Sequence, residues 1–307
     1  MNEADLLREL EPEAERLLER HLSRSKEWFP HELVPWDQGR GVSPGEAWDP
    51  EQVPMDDAVR RALVVNLLTE DNLPYYYSAI DNHFGADDAW GAWSRRWTAE
   101  EGRHSIVIRD YLTVTRAVDP VALERGRMHQ VCYGFHQPIA GPAECLVYVA
   151  LQELATRIAH MNTGKLMTDP AGYEVMARVA KDENLHFLFY RDMTTAGVHI
   201  DPSGMVIAME KQVRDFEMPG TGIEGFSAHA KAIARAGIYD LAIHHDQILV
   251  PLVMREWKLE SLENLTPEAE KARASLIRRI ERTNKVARRL TARREEENGS
   301  SGDALAS

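Results

Sequence analysis

The feature that most constrains this chain is the placement of ionisable side chains on the apolar stripes of four helical segments. On the first stripe, Glu70 follows Leu63 and Leu67 at spacings of four and three residues. Residues at this spacing share one helix face, and an apolar face packs towards the interior of a bundle. A carboxylate buried there costs free energy unless it is paired or binds a metal. The fold must therefore bring such carboxylates to partners.

The other three stripes repeat this pattern, and two of them add a histidine. They carry, in chain order, Glu101 with His104, Glu153, and Glu183 with His186. Glu101 lies 31 residues after Glu70, and Glu183 lies 30 residues after Glu153. Each half of the pattern is thus a Glu helix followed by a Glu-x-x-His helix, whose residues i and i+3 project from the same side.

Two such halves, related by a pseudo-twofold axis, would bring four carboxylates and two imidazoles to one point. This set of side chains is typical of the carboxylate-bridged dinuclear sites of ferritin-like bundles. Mixed oxygen and nitrogen ligands with open positions suit Fe(II) and Mn(II) better than a closed structural zinc site. The bare Glu-x-x-His motif is weak evidence, so the prediction rests on core placement and matched spacing. The alternative is a set of buried Glu–His hydrogen bonds without metal.

The rest of the chain also predicts helices. Helical patterns cover roughly 3–22, 57–83, 87–117, 142–164, 170–196, 202–216, 223–236, 239–258 and 266–293, with Asp-Pro pairs at 119–120, 169–170 and 201–202. Because the residue before proline is pushed out of the helical region, these pairs separate helices. The pattern predicts an all-α fold: a ferritin-like four-helix bundle with additional packed helices. We expect one domain over 1–294, a disordered polar tail over 295–307, and a compact connection from Met128 to Pro142.

Composition excludes several protein classes. The 307 residues are 44% apolar and 28% charged, with a net charge of −13, and no window approaches the roughly 18 consecutive apolar residues of a membrane span. The acidic, amphipathic N-terminus does not resemble a targeting signal. Two cysteines cannot build a disulfide framework or a four-thiolate metal site. We therefore expect a cytoplasmic enzyme or binding protein with no integral membrane segment and no nucleic-acid partner.

Charge is unevenly distributed along the chain. Between Lys271 and Arg294, ten Lys or Arg side chains stand against one acid, Glu281, on an amphipathic helical pattern. Such a run is often only a solvated helix face, but it also suits docking of an acidic partner. A second basic group, near the ends of the first two ligand helices, consists of Arg60, Arg61, Arg95 and Arg96.

Several stretches resemble the soluble acyl-acyl-carrier-protein desaturases of plant plastids and actinobacteria. The matching stretches are Leu-Thr-Glu-Asp-Asn-Leu-Pro at 68–74, Trp-Thr-Ala-Glu-Glu-Gly-Arg-His at 97–104, Gln-Glu-Leu-Ala-Thr-Arg-Ile-Ala-His at 152–160, and Asp-Glu-Asn-Leu-His at 182–186. The resemblance runs in order from about residue 5 to 260. It implies a ferritin-like homodimer that uses O₂ and a di-iron site to remove two hydrogens from an acyl chain on acyl carrier protein.

The resemblance also implies roles for individual residues. The iron ligands for two Fe²⁺ ions per chain are Glu70, Glu101, His104, Glu153, Glu183 and His186. Thr156 matches a threonine beside the oxygen-binding pocket. Trp28, Asp182 and His104 match a route for electrons from the surface, with a ferredoxin as external donor. A metal-bound imidazole needs an acceptor for its other N–H, which is a physical reason for Asp182.

Other functions remain open on the sequence. The same ligands would serve a di-iron hydroxylase or N-oxygenase acting on a carrier-bound substrate. Iron storage would need a cage of many subunits, and a radical-generating subunit would need a tyrosine beside the iron. For carrier docking, we favour Arg60, Arg61, Arg95 and Arg96, because they lie on the metal-bearing helices. The basic segment 271–294 is the alternative docking surface, although it could instead pack across a dimer.

Overall fold

The structure, a computed structural model, describes residues 1–39, 41–134, 138–218 and 220–304, and these residues form helices and loops without a strand. The helices in chain order are α1 (Glu3–Arg24), α2 (Pro30–Leu33), α3 (Asp57–Glu70), α4 (Leu73–Phe84), α5 (Asp88–Val114), α6 (Pro120–Tyr133), α7 (Pro142–Leu166), α8 (Pro170–Ile200), α9 (Pro202–Asp215), α10 (Phe226–Arg235), α11 (Leu241–Ile243, continuing in π-helical turns over His244–Glu256) and α12 (Pro267–Ala304). Short 3₁₀ turns lie at Trp36–Gln38, Pro50–Gln52 and Leu259–Ser261. The predicted all-α fold is confirmed.

Aspartate and proline together set three of the helix starts. Asp119, Asp169 and Asp201 each accept a hydrogen bond from a backbone N–H in the first turn of α6, α8 and α9, respectively. The following proline needs no N–H partner at the first helical position, and its fixed φ already suits a helix. These are the three Asp-Pro pairs that the sequence identifies as helix boundaries.

Two predicted boundaries differ from the structure. The single helix expected over 57–83 is interrupted at Asp71 and Asn72, because Pro74 lacks the N–H that would continue the ladder of α3. The chain from Pro120 to Tyr133 forms α6, which the sequence analysis did not predict. The predicted compact connection from Met128 therefore begins within a helix, and its residues 135–137 lie outside the described residues.

Four long helices form the centre of the molecule. α7 packs along α8, α5 contacts α3 and α8, and α3 also contacts α7. This is the predicted ferritin-like bundle. α1 lies across α5 and α8, α9 lies between α8 and α12, and α10 packs on α3.

Apolar side chains from both the bundle and the added helices form a common core. Leu10 of α1, Trp93 of α5, Leu146 of α7, Tyr190 of α8 and Leu252 after α11 belong to one buried cluster.

Within the described residues, no helix combines the length and apolar content needed to cross a bilayer. α12 is described to Ala304 and residues 305–307 lie outside the described residues, so the domain over 1–294 and the disordered tail stay predictions.

Candidate metal centre

The bundle brings the six predicted ligand residues into two overlapping groups. One group is Glu70, Glu101, His104 and Glu183, and the other is Glu101, Glu153, Glu183 and His186; within each, one potential ligand atom per residue lies within 4.8 Å of all the others. Every member is buried. Because Glu101 and Glu183 belong to both groups, the arrangement can hold two cations with two bridging carboxylates.

Helical spacing explains this convergence. Glu101 and His104 are separated by three residues on α5, and Glu183 and His186 by three residues on α8, so each pair projects from one helix face. Glu70 is the last residue of α3, and Glu153 lies in the buried middle of α7. Each half of the pattern thus supplies one single-carboxylate helix and one Glu-x-x-His helix.

The imidazole nitrogens point towards the carboxylates. His104 Nδ1 lies 3.2 Å from Glu101 Oε2 and 3.4 Å from Glu183 Oε1. His186 Nδ1 lies 2.7 Å from Glu101 Oε1 and 3.6 Å from Glu153 Oε2. The two histidines therefore present the same ring nitrogen to the shared carboxylate.

The donor atoms fit metal ions better than they fit one another. His104 Nδ1, His186 Nδ1, Glu101 Oε1 and Glu153 Oε2 are buried and make no hydrogen bond of acceptable geometry with the described residues. Buried polar atoms without partners are costly, and lone pairs directed at one point are what a cation requires. Four carboxylates and two imidazoles suit a pair of iron ions.

The pKa shifts lead to the same conclusion. Burial raises the pKa of Glu153 well above its usual value, and the neighbouring charge of Glu183 raises it further. Burial acts on Glu183 in the same direction, but the nearby imidazoles of His104 and His160 outweigh it and hold the pKa of Glu183 well below normal. Without a cation, the four carboxylates cannot all ionise in one buried space, and metal binding removes this conflict.

Asp182 and Trp28 lie behind His104, on the side away from the other ligand residues. Trp28 Nε1 donates to Asp182 Oδ2 (2.7 Å), and His104 Nε2 lies 3.7 Å from the same oxygen. Arg103 and Arg178 form salt bridges with Asp182 and stack against the Trp28 ring. Burial raises the pKa of Asp182, but the nearby imidazoles of His104 and His186 and the hydrogen bond from Trp28 outweigh burial and lower the pKa to about 2. Asp182 therefore carries a charge that can orient His104.

A matching partner for His186 was missed by the sequence analysis. Glu100 Oε2 lies 3.0 Å from His186 Nε2 and 2.8 Å from His21 Nε2, and Arg96 lies 2.5 Å from Glu100 Oε1. Glu100 precedes Glu101 as Asp182 precedes Glu183, so the repeated pattern acid-Glu-x-x-His could have identified it. His21 continues the buried spacing of Leu10, Ala14 and Leu17 on α1.

Three further polar residues lie against the ligand carboxylates. Thr156 Oγ1 donates to Glu183 Oε2 (3.0 Å), and Trp97 Nε1 donates to Glu153 Oε1 (2.9 Å). His160 Nε2 lies 3.1 Å from Glu70 Oε1. Burial lowers the pKa of His160, but hydrogen bonds to Glu183 and Glu70 outweigh it and raise the pKa to about 9.

Two apolar cavities lie beside the ligand groups. One, of about 90 Å³, reaches Glu70, Thr156 and His160 between walls from α3, α7 and α10. The other is narrower and lies between α4, α5 and α7, with Trp97 in its wall. Tyr76 lines the second cavity, and its hydroxyl donates to the carbonyl of Thr69, which lines the first. Apolar space therefore lies on two sides of the ligand groups.

Comparison with known proteins relates this geometry to a family. The model of the family described as "Fatty acid desaturase" matches residues 2–303. DesA1 of Mycobacterium tuberculosis, named as an acyl-[acyl-carrier-protein] desaturase, is 43% identical over 286 residues, which cover 90% of this chain and 84% of DesA1. A chloroplastic stearoyl-[acyl-carrier-protein] 9-desaturase 6 of Arabidopsis thaliana is 33% identical over 261 residues, which cover 74% of this chain and 64% of that protein.

A solved structure agrees with the sequence matches. The X-ray structure of DesA2 from Mycobacterium tuberculosis, titled as an acyl-ACP desaturase, superimposes with a TM-score of 0.72 at 29% identity. The match covers 87% of this chain and 99% of that structure. With the family model matching nearly the whole length, this chain belongs to the fatty acid desaturase family and is an oxidoreductase.

Proposed function

We propose that this chain removes two hydrogens from an acyl chain carried on acyl carrier protein, in an O₂-dependent reaction at a di-iron centre that receives electrons from a ferredoxin. The observation that carries the proposal is the pair of four-residue ligand groups sharing Glu101 and Glu183. Family membership and the names of the relatives support the acyl-carrier substrate. By resemblance, we also propose a cytoplasmic homodimer.

Glu70 and His104 would help to hold one iron ion and Glu153 and His186 the other, and Glu101 and Glu183 belong to both groups. When bound, two iron ions supply the O₂-dependent oxidation of an unactivated C–H bond. Asp182 and Glu100 orient the two histidines from behind, because each carboxylate faces the ring nitrogen turned away from the ligand groups.

The acyl chain would lie in the apolar cavities beside the ligands. The wall residues Ala62, Ala159 and Ile233 can bind methylene groups but offer them no polar contact. Such a cavity excludes water from the reacting carbons and fixes which carbons lie near Glu70 and Thr156. The position of the double bond then depends on how deeply the chain enters.

Thr156 is the polar side chain placed to move a proton here. It lines the cavity, and its hydroxyl already donates to Glu183. A hydroxyl in this position can take up or release a proton as O₂ is reduced. Trp28, Asp182 and His104 form the contact chain that we assign to electron entry, since it connects the segment before α2 with a ligand of the first group.

The decisive experiment is product analysis. Protein loaded with iron is incubated with an acyl-[acyl carrier protein], O₂ and reduced ferredoxin, and the released acyl chain is examined by mass spectrometry. We expect an acyl chain lighter by two hydrogens. A chain heavier by one oxygen would instead assign the hydroxylase activity, and an unchanged chain with every tested carrier-bound substrate would refute the proposal.

A further inference from the structure

The cavity beside Glu70 and Thr156 shares part of its wall with a wider cleft. This entry cleft, of about 1000 Å³, is bounded by the end of α9, by α10, by α11 and by α12. Met218, Phe226, Ala230 and Tyr239 line both the inner cavity and the entry cleft. The two spaces are therefore neighbours separated by these four side chains, so the cleft lies on the side from which a long apolar chain would approach the ligand groups.

The rim of the entry cleft is strongly basic. Its ionised residues are the bases Arg214, Lys231, Arg235, Arg279, Arg293 and Arg294 and the acids Glu217 and Asp240. Arg214 and Arg294 form salt bridges with acids of this chain. Lys231, Arg279 and Arg293 are exposed, and within the part of the chain that the structure describes they form neither a hydrogen bond nor a salt bridge. Arg214 lowers the pKa of Asp215 by its hydrogen bond and charge, and the charge of Arg279 adds to this effect.

The basic group that the sequence favours for docking has other contacts. Arg60 donates to the carbonyl of Val53 and stacks on Trp48, Arg61 pairs with Asp57, Arg95 donates to the carbonyl of Ala86, and Arg96 pairs with Glu100. None of these four arginines lines the inner cavity or the entry cleft. Their charges are therefore engaged within the chain rather than directed into the opening.

We propose that the basic rim of the entry cleft, centred on Lys231, Arg279 and Arg293, docks the acidic acyl carrier protein while its phosphate-bearing arm lies in the cleft. This inference rests on the proposed function. Guanidinium and ammonium groups bind phosphate and carboxylate groups. The chain carries a net charge of −13, so an acidic protein approaches most favourably where basic side chains are concentrated.

A second copy of this chain fits the cleft less well. In a twofold dimer the same surface faces itself, so a contact centred on this rim would place Lys231, Arg279 and Arg293 against their own copies. Like charges brought together in this way repel each other. An acidic partner would attract these basic side chains instead of repelling them. The acyl-bearing arm of such a partner would contact the apolar residues that line the cleft.

Two double charge reversals test the inference on the iron-loaded protein. The test variant is Lys231→Glu with Arg293→Glu. The control is Arg24→Glu with Arg125→Glu, which makes the same change in net charge at exposed positions of α1 and α6, two helices that do not line the cleft. The measurements are binding of fluorescently labelled acyl-[acyl carrier protein], the KM for that substrate at several salt concentrations, and oligomeric state by light scattering.

We expect the test variant to bind the carrier about tenfold or more weakly and to raise KM similarly at low salt, with kcat little changed, since rim charges act mainly on association. The control should remain within about twofold of the parent protein, since distant exposed charges couple weakly. Equal effects of the two variants, or no effect of either, would refute docking at this rim.

The oligomeric state measured by light scattering tests whether a second copy of this chain occupies the cleft. A change in oligomeric state of the test variant alone would assign the cleft to contact between copies and overturn the inference. Failure of the proposed function is distinguishable, because the parent protein would then neither bind the acyl carrier nor convert its acyl chain. A parent that does both, together with an unaffected test variant, would overturn the docking surface alone.

Discussion

The two halves of the ligand set have matching residues but different surroundings. Glu70 receives a hydrogen bond from His160 and lines the apolar cavity. Its counterpart Glu153 receives one from Trp97 and is fully buried within the packing of α7. A symmetric set of ligands is thus placed so that one carboxylate faces the space we assign to substrate and the other faces the core.

The histidines show the same combination of similarity and difference. Each is backed by a carboxylate from the opposite half, Asp182 behind His104 and Glu100 behind His186. Asp182 is contacted by Trp28 and by arginines, whereas Glu100 is contacted by His21 and Arg96. The difference teaches that the repeated helices fix the positions of the six ligand residues, and that the added segments before α3 give each side different neighbours.

The largest effect should follow loss of a ligand on either side. We predict that Glu153→Ala and His186→Ala lose iron from a protein that otherwise holds two ions per chain, because each removes a donor of the second group. Iron content by elemental analysis, after purification with iron present, is the measurement. The control is Glu281→Ala, an exposed position on α12. Full iron binding by both ligand variants would disprove the assignment.

A smaller effect should follow changes behind the histidines. We expect Asp182→Asn and Glu100→Gln each to lower iron affinity about 10–100-fold, because a neutral amide no longer orients and polarises the imidazole. Competition with a chelator measures this affinity. Similar losses would support the equivalence of the two halves, and an effect of Asp182→Asn alone would show that Glu100 is only a packing partner.

A change at Thr156 tests the side of the site that faces the cavity. We predict that Thr156→Val keeps its iron but consumes more O₂ per product by several-fold, because the hydroxyl beside Glu183 no longer moves protons. The control is Thr163→Val on the same helix, whose hydroxyl is buried and donates to the carbonyl of Ala159. An unchanged ratio of product to O₂ would reduce Thr156 to a packing role.

The sequence predicts the centre better than its surroundings, for a physical reason. The ligands lie on long amphipathic helices, where spacing alone assigns a face, and the structure brings all six together. His21 reaches Glu100 from α1, 79 residues away in the chain, and no local pattern encodes such a contact. The entry cleft likewise joins α9, α10, α11 and α12, so the arginines on its rim could be counted in the sequence but not placed.

The smallest effect should come from the two tryptophans that donate to carboxylates, one on each side. Trp28→Phe leaves Asp182 in contact with Arg103 and Arg178, whereas Trp97→Phe leaves Glu153 Oε1 without its donor. A buried acceptor that loses its partner costs about 1–3 kcal/mol, and one that keeps other partners costs less. We therefore predict that Trp97→Phe lowers the free energy of unfolding by about 2 kcal/mol and Trp28→Phe by less than half as much. Urea denaturation of the metal-depleted proteins measures both values. Equal losses would show that Arg103 and Arg178 do not replace the hydrogen bond that Trp28 donates to Asp182. The two sides of the site would then differ only in the cavity beside Glu70.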